Sequence, residues 1–152
     1  MIYLLFAVVI FGAGQLIRKC IESKKELLKR ETLIKDKIDI IHMHNKGALL
    51  STFEDKPKLV SSAMLVAIGM LLSIFGQSLM EKNGKIKKFG LSIMLGGAIS
   101  NAYERLSKGY VVDYVNLPNS KKLKNAVFNL ADMFVVLGAI ITVIGSFFKK
   151  ND

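Results

Sequence analysis

Four long apolar runs break up an otherwise heavily charged chain: Ile2 to Ile17, Leu59 to Met80, Phe89 to Ala102 and Ala126 to Phe148. A bilayer core of about 30 Å is crossed by about 20 helical residues. The second and fourth runs clear that length. The first reaches it with Met1 at one interface and Arg18 and Lys19 snorkelling at the other, and the third by counting Ser100 to Tyr103 as buried. With 152 residues, 51% of them hydrophobic, and a mean hydropathy of +0.38, the chain is too apolar for an ordinary soluble domain. The expectation is one integral membrane domain over residues 1–152. Its fold class is an all-α, four-transmembrane-helix bundle with spans about 2–19, 59–80, 87–104 and 126–148. The first run lacks a basic leader and an A-x-A site, so it reads as a retained anchor and not a cleaved signal. Cys20 is the single cysteine, which excludes an internal disulfide. Arg18 and Lys19 stand where a bacterial lipobox needs small residues.

The segments between the runs have their own patterns. "ESKKELLKRETLIKDK", Glu22 to Lys37, sets Leu27, Leu28, Leu33 and Ile34 at near-helical spacing among charges, which predicts an amphipathic surface helix, an extension of span one, or a solvated linker. "IDIIHMHNKGALLSTF" alternates like a strand with a turn at "NKG". "GYVVDYV" also has strand character, with Val111, Asp113 and Val115 on one face and Tyr110, Val112 and Tyr114 on the other. A small β-like cap is therefore expected on the side of loops one and three. Gly96 with Ser100, and Ala131, Gly138 and Gly145 at seven-residue spacing, offer small surfaces for close helix contact.

A formal charge of +10 raises the question of nucleic acid, but no basic groove interleaved with aromatics is present and half the chain is apolar. Anionic lipid headgroups are the expected counterions. Ionisable groups inside a membrane cost roughly 2.5 to 3.5 kcal/mol each at the bilayer centre. Here they gather at one face: Asn101, Glu104 and Arg105 end span three, Asp113 follows, and Asn129 and Asp132 open span four. Two carboxylates close together in a low dielectric do not both ionise, so one serves as acid and the other as base, enough to activate water against an amide carbonyl. The plain alternative makes Asp132 a partner of the helix dipole and Asp113 a solvated loop residue. His42 and His44, two apart on a strand, point the same way. Without a third ligand they make a poor zinc site, so surface or headgroup contact is expected and no metal or cofactor is called for. Ser51, Ser100 and Ser107 have no evident base partner.

The stretch "GGAISNAYERLSKGYVVDYV" followed by "VFNLAD" resembles the C-terminal signature of lipoprotein signal peptidase (signal peptidase II), approximately G-G-A-x-x-N-x-x-D-R-x-x-x-G-x-V-x-D-[FY] and then F-N-x-A-D. "HNKGALLS" resembles its H-N-x-G-A-A-F-S motif, and "GQLIRK" its D-Q-x-x-K motif. The resemblance implies a membrane aspartic endopeptidase that removes signal peptides from lipid-modified prolipoproteins by cleavage before the modified cysteine. Carried over by position, it implies that Asp113 and Asp132 are the catalytic pair. Asn45, Gly47, Asn101, Arg105, Asn129 and Ala131 fall on positions that bind substrate or brace the site, with Gln15, Arg18 and Glu104 as weaker matches. Arg105 is expected to anchor the loop carrying Asp113 or to meet a lipid phosphate. The chain departs from the pattern at Gly14, where the family has Asp, at Arg18 for Lys, at Glu104 for Asp, and at Leu49 and Leu50. Gly14 and Glu104 keep a rival in view, a catalytically silent membrane protein binding lipidated peptides or headgroups. A small transporter is disfavoured because the ionisable groups crowd one interface instead of the midplane.

The resemblance also implies a bacterial cytoplasmic membrane, a monomer, cytoplasmic termini and an extracytoplasmic site. Lys and Arg number 11 in loop one and 5 in loop three, against 4 in loop two and 2 at the C-terminal end. Counted plainly, the positive-inside rule votes for the opposite orientation. The expected orientation rests on the resemblance and on the basic residues of loop two and the C-terminal end, which lie tight against the membrane. The outer excess is assigned to anionic lipid heads. Reporter fusions at the C-terminus are expected to signal a cytoplasmic location; an external signal overturns both the orientation and that explanation.

Overall fold

The computed structural model describes residues 1–35, 37–48, 52–121, 123 and 125–148. In chain order its elements are α1 (Ile2–Lys24), β1 (Arg30–Ile34), β2 (Ile38–Asn45), α2 (Pro57–Met80), α3 (Lys85–Lys108), β3 (Val111–Asn116), β4 (Val127–Phe128) and α4 (Leu130–Phe147). The helices alternate in direction. The C-terminal ends of α1 and α3 and the N-terminal ends of α2 and α4 therefore share the end of the bundle that carries the sheet.

Helices α1, α2 and α4 are long and apolar enough to cross a membrane. Most of their apolar surface faces outward, including Leu5, Val8 and Val9 on α1, Met70 on α2, and Val136 and Val143 on α4. In water such a surface would drive aggregation, whereas in a bilayer it needs no cover. Helix α3 is as long but less apolar, since it carries Lys85, Lys87, Lys88, Glu104, Arg105 and Lys108. Its position accounts for this composition: α1, α2 and α4 all pack against it, and it faces protein along much of its length. Leu91 and Leu95 of α3 meet Leu71 and Phe75 of α2 in the apolar core.

Small residues set how closely the helices approach. A Cβ on Gly138 would lie 2.5 Å from the Met94 nitrogen and 2.6 Å from the Gly90 carbonyl oxygen, and one on Gly145 2.5 Å from the Lys87 nitrogen. The seven-residue stripe on α4 is thus its contact with α3. Gly96 faces the other way, where a Cβ would come within 2.6 Å of the Ala7 carbonyl on α1. The tight approach replaces the hydrophobic drive that lipid cannot supply between helices.

The four strands form one antiparallel sheet in the order β1-β2-β3-β4. Met43 pairs with Asp113 and Asn45 with Val111, so Asn45 shares a face with Asp113 while His42 and His44 occupy the other.

Two expectations are corrected. The 22–37 segment is not an amphipathic helix: α1 continues only to Lys24, Lys25 is extended, and Leu28 has a φ of 62°. Arg30 to Ile34 then pairs with β2, because hydrogen bonding to an open sheet edge satisfies its backbone groups, starting with Leu28 N–H to the His42 carbonyl at 2.8 Å. Its side chains stay exposed, as a charged edge strand's do. Span four begins at Leu130 and not 126. Val127 and Phe128 extend the sheet, and Asn129 and Asp132 close a reciprocal capping box around the start of α4.

Gly138→Leu is expected to force α3 and α4 apart and lower stability by at least about 1–3 kcal/mol. Thermal unfolding in detergent measures this, and an unchanged midpoint would contradict the contact.

Candidate active site

Asp113 sits mid-strand on β3 and Asp132 in the first turn of α4, and both line one cavity of about 560 Å³. Asn129 joins them. Its side-chain N–H donates to Asp113 Oδ1 at 2.7 Å, its backbone N–H donates to Asp132 Oδ2 at 3.0 Å, and its Oδ1 accepts from the Asp132 backbone at 3.1 Å. The second oxygen of each carboxylate is held by another amide: Asn45 donates to Asp113 Oδ2 at 2.8 Å, and Asn101 to Asp132 Oδ1 at 2.8 Å. Three residues apart, Asn129 and Asp132 would share one face of a continuous helix. In the structure Asn129 is the N-cap, with extended backbone, and this lets both its main chain and its amide reach the pair.

Arg18, a weaker match by sequence, is fully buried at the centre of this network. Its guanidinium donates to Asn129 Oδ1 at 2.9 Å, to Asn101 Oδ1, and to Ser100 Oγ and O at 2.9 and 3.2 Å. A guanidinium has no acceptor atom, so each asparagine must turn its oxygen toward Arg18 and its NH₂ toward a carboxylate. One cation on α1 thereby sets the orientation of two amides on α3 and α4. Ser100, which has no base partner, serves here as an acceptor. Gln15 donates to the same Ser100 oxygens at 3.1 Å and braces α1 against α3 without reaching the aspartates.

The departures from the family pattern have a place in this geometry. A Cβ at Gly14 would stand 2.5 Å from Ser100 Oγ, so the glycine makes room for the serine that accepts from Arg18. Glu104 is buried, lies 3.5 Å from Arg18 Nε, and accepts the Val112 N–H at 2.9 Å and Lys108 Nζ at 2.6 Å. It thus fixes the backbone one residue before Asp113. Leu49, Leu50 and Ser51 lie outside the described residues.

Arg105 donates to the Lys46 and Gly47 carbonyls at 2.7 and 2.6 Å and lines the same cavity as the aspartates. It therefore clamps the turn after β2, which Asn45 Oδ1 closes by accepting the Gly47 N–H at 2.9 Å. Ala131 is buried, and its carbonyl packs so closely on Gly97 that a Cβ there would come within 2.6 Å of it. Tyr114, which carried no sequence signal as a site residue, accepts the free Leu130 N–H on its hydroxyl at 3.0 Å.

Burial raises the Asp113 carboxyl to about 7; the Asp132 charge adds to the rise, and the Asn129 and Asn45 hydrogen bonds and Arg18 oppose it. One carboxyl of the pair is thus held protonated near neutral pH beside a second carboxylate. Away from the polar cluster, the cavity wall is apolar, with Leu59, Val60 and Met64 from α2, Ala98 from α3 and Val135 from α4.

Apolar helices around a cavity that holds two buried carboxylates mark a membrane protein with a polar site at one end of its bundle, and comparison with known proteins gives the family. The profile described as "Signal peptidase (SPase) II" matches residues 6–148. The chain is 37% identical over 120 residues to the lipoprotein signal peptidase of Clostridium tetani, covering 79% of this chain and 74% of that one. It is 32% identical over 144 residues to that of Bartonella quintana, covering 93% and 83%. A solved bacterial membrane enzyme superposes with a TM-score of 0.81 at 20% identity, over 99% of this chain and 92% of the other. This chain belongs to the signal peptidase II family, a family of membrane peptidases.

The raised Asp113 carboxyl has a consequence for stability. Between about pH 4 and 7 the folded chain holds a proton that the unfolded chain has released, so this group's contribution weakens as pH rises through that window and levels off above about 7. Asp113→Asn, which carries no charge to bury, is expected to gain thermal stability relative to the parent across the same window. A difference in midpoint that stays constant from pH 4 to 8 would contradict the raised value.

Proposed function

We propose that this chain is an aspartic endopeptidase that removes signal peptides from prolipoproteins by cutting just before the lipid-modified cysteine. The observation that carries the reading is the cavity, in which two amide-held aspartates share one space with an apolar wall. The polar end suits a peptide bond, and the wall of α2 suits the acyl chains of a lipid-bearing cysteine entering sideways from the bilayer. In this reading α3 is the fourth and innermost span. The sheet and site face outward from the bacterial cytoplasmic membrane, both termini are cytoplasmic, and the protein works as a monomer. The basic residues around the sheet meet anionic headgroups.

The chemistry follows from the shared proton. The ionised carboxylate removes a proton from water as its oxygen adds to the scissile carbonyl carbon, and the protonated carboxyl donates its proton to the carbonyl oxygen. As the tetrahedral gem-diol collapses, one of its hydroxyls returns a proton to the ionised carboxylate of the pair, the C–N bond breaks and the leaving nitrogen takes the proton held by the other carboxyl, so the pair ends with one proton again. The proton belongs to the pair and not to either residue. Asn45, Asn101 and Asn129 hold the carboxylates in place, and Arg18 holds two of those amides.

The catalytically silent alternative drew on Gly14 and Glu104. Both are accommodated at a distance from the carboxylates, one by Ser100 and the other by the Val112 amide, which favours the active reading.

Purified protein in detergent, given a lipid-modified prolipoprotein, is expected to cleave it. Asp113→Asn and Asp132→Asn are each expected to lose at least about a hundredfold in rate. The parent's rate should fall on the alkaline side near pH 7, where the pair loses its last proton. Equal cleavage by parent and both variants, or cleavage by none, sinks the dyad mechanism.

A further inference from the structure

The two histidines that lack a third ligand in the sequence gain one in the fold. Glu22, in the last turn of α1, comes up against the face of β2 that carries His42 and His44, and one ligand atom from each lies within 4.8 Å of the others. The imidazoles face each other through their Nε2 atoms at 3.1 Å. Two nitrogens bound to one tetrahedral ion at about 2.0–2.1 Å stand about 3.3 Å apart, so the spacing already approximates a shared ion.

The protonation pattern supports the same use. His42 Nδ1 lies 2.9 Å from the Lys25 carbonyl, which can only accept, so Nδ1 carries a proton; His42 Nε2 then accepts from His44 Nε2–H, and a cation arriving between the rings takes the place of that single proton. A ring N–H given to a backbone carbonyl is the usual support of a metal-binding histidine. The Tyr110 ring stacks on His44 at 3.8 Å and 15°, fixing its orientation. Glu22 is held in place by Lys108 at 2.6 Å and by the Tyr110 hydroxyl at 3.4 Å. Lys108 also pairs with Glu104, so an arriving cation can take over Glu22 while Lys108 keeps its second partner.

We propose that Glu22, His42 and His44 form a binding site for one zinc-class divalent cation, with an open position for water, that cross-links the end of α1 to β2. Two imidazoles and one carboxylate suit borderline ions such as Zn²⁺ and not Mg²⁺. The site is separate from the aspartates, because His42 and His44 lie on the opposite face of β2 from Asn45. It is coupled to them through that strand: Asn45, which holds Asp113, directly follows His44. The ion's role is to stiffen the cap over the cavity.

The test uses the full chain in detergent, stripped with chelator, desalted and titrated with Zn²⁺ alone. One zinc bound per chain by elemental analysis is expected, with a thermal midpoint that rises with zinc concentration. His44→Ala and Glu22→Gln should each weaken binding at least about tenfold and abolish the rise, with the helical circular dichroism unchanged. Asp113→Asn should bind zinc like the parent. Absence of a bound ion, or binding unchanged in the His44→Ala/Glu22→Gln double variant, overturns the site. Loss of binding in Asp113→Asn places the ion at the aspartates instead and equally overturns it.

Discussion

A guanidinium buried in a helix bundle needs acceptors and a counter-charge, because an unpaired ion there costs several kcal/mol even after relaxation. Arg18 meets that demand with Ser100, Asn101, Asn129 and Glu104, drawn from α3 and from the start of α4. Satisfying one cation docks α1, turns two amides toward the aspartates and, through Glu104, seats the strand that carries Asp113. The site is therefore less a pair of carboxylates than a pair whose surroundings one buried charge has organised. A lysine at the same position would offer a compact point charge and not a planar fork able to divide its donors among acceptors on two helices.

That arrangement needs the helices close, and small residues permit it. Gly90, Gly97, Gly138 and Gly145 bring α3 and α4 to backbone contact, while Gly14 and Gly96 bring α1 to α3. Helix α3 pays in apolarity for its central place, since it is surrounded by protein and so can hold serines, glycines and charges that a lipid-facing helix could not. Strand β2 then works on both faces, with Asn45 toward the aspartates and His42 and His44 toward Glu22.

Much of this was legible in the chain itself. The four apolar runs became four helices, and "GYVVDYV" became a strand with Asp113 inside it. His42 and His44 do point the same way, as strand alternation requires. Each of these features depends on periodicity within a few residues. The misreadings share a cause. Leu27, Leu28, Leu33 and Ile34 have helical spacing, yet an open edge of β2 offered their segment hydrogen bonds that propensity could not outweigh. Asn129 lies three residues before Asp132, which fits both a helix face and a cap. The sheet decided between them by pulling Val127 and Phe128 into β4. The hydrogen-bond partners of Arg105 are carbonyls 58 and 59 residues earlier, which no local pattern marks.

By itself, the sequence determined that the chain lives in a membrane, and that its costly polar residues gather at one end of the bundle. It also singled out the two aspartates, since hydropathy, strand alternation and local motifs are written in neighbouring residues. Only the tertiary structure decided that Arg18 governs the amides, that Glu104 seats the strand carrying Asp113, and that Glu22 completes the histidine cluster. Arg18 reaches Asn129 across 111 positions and Ser100 across 82. At such separations no local pattern records which polar group will answer a buried charge. The requirement that each be answered appears only once packing has removed the water.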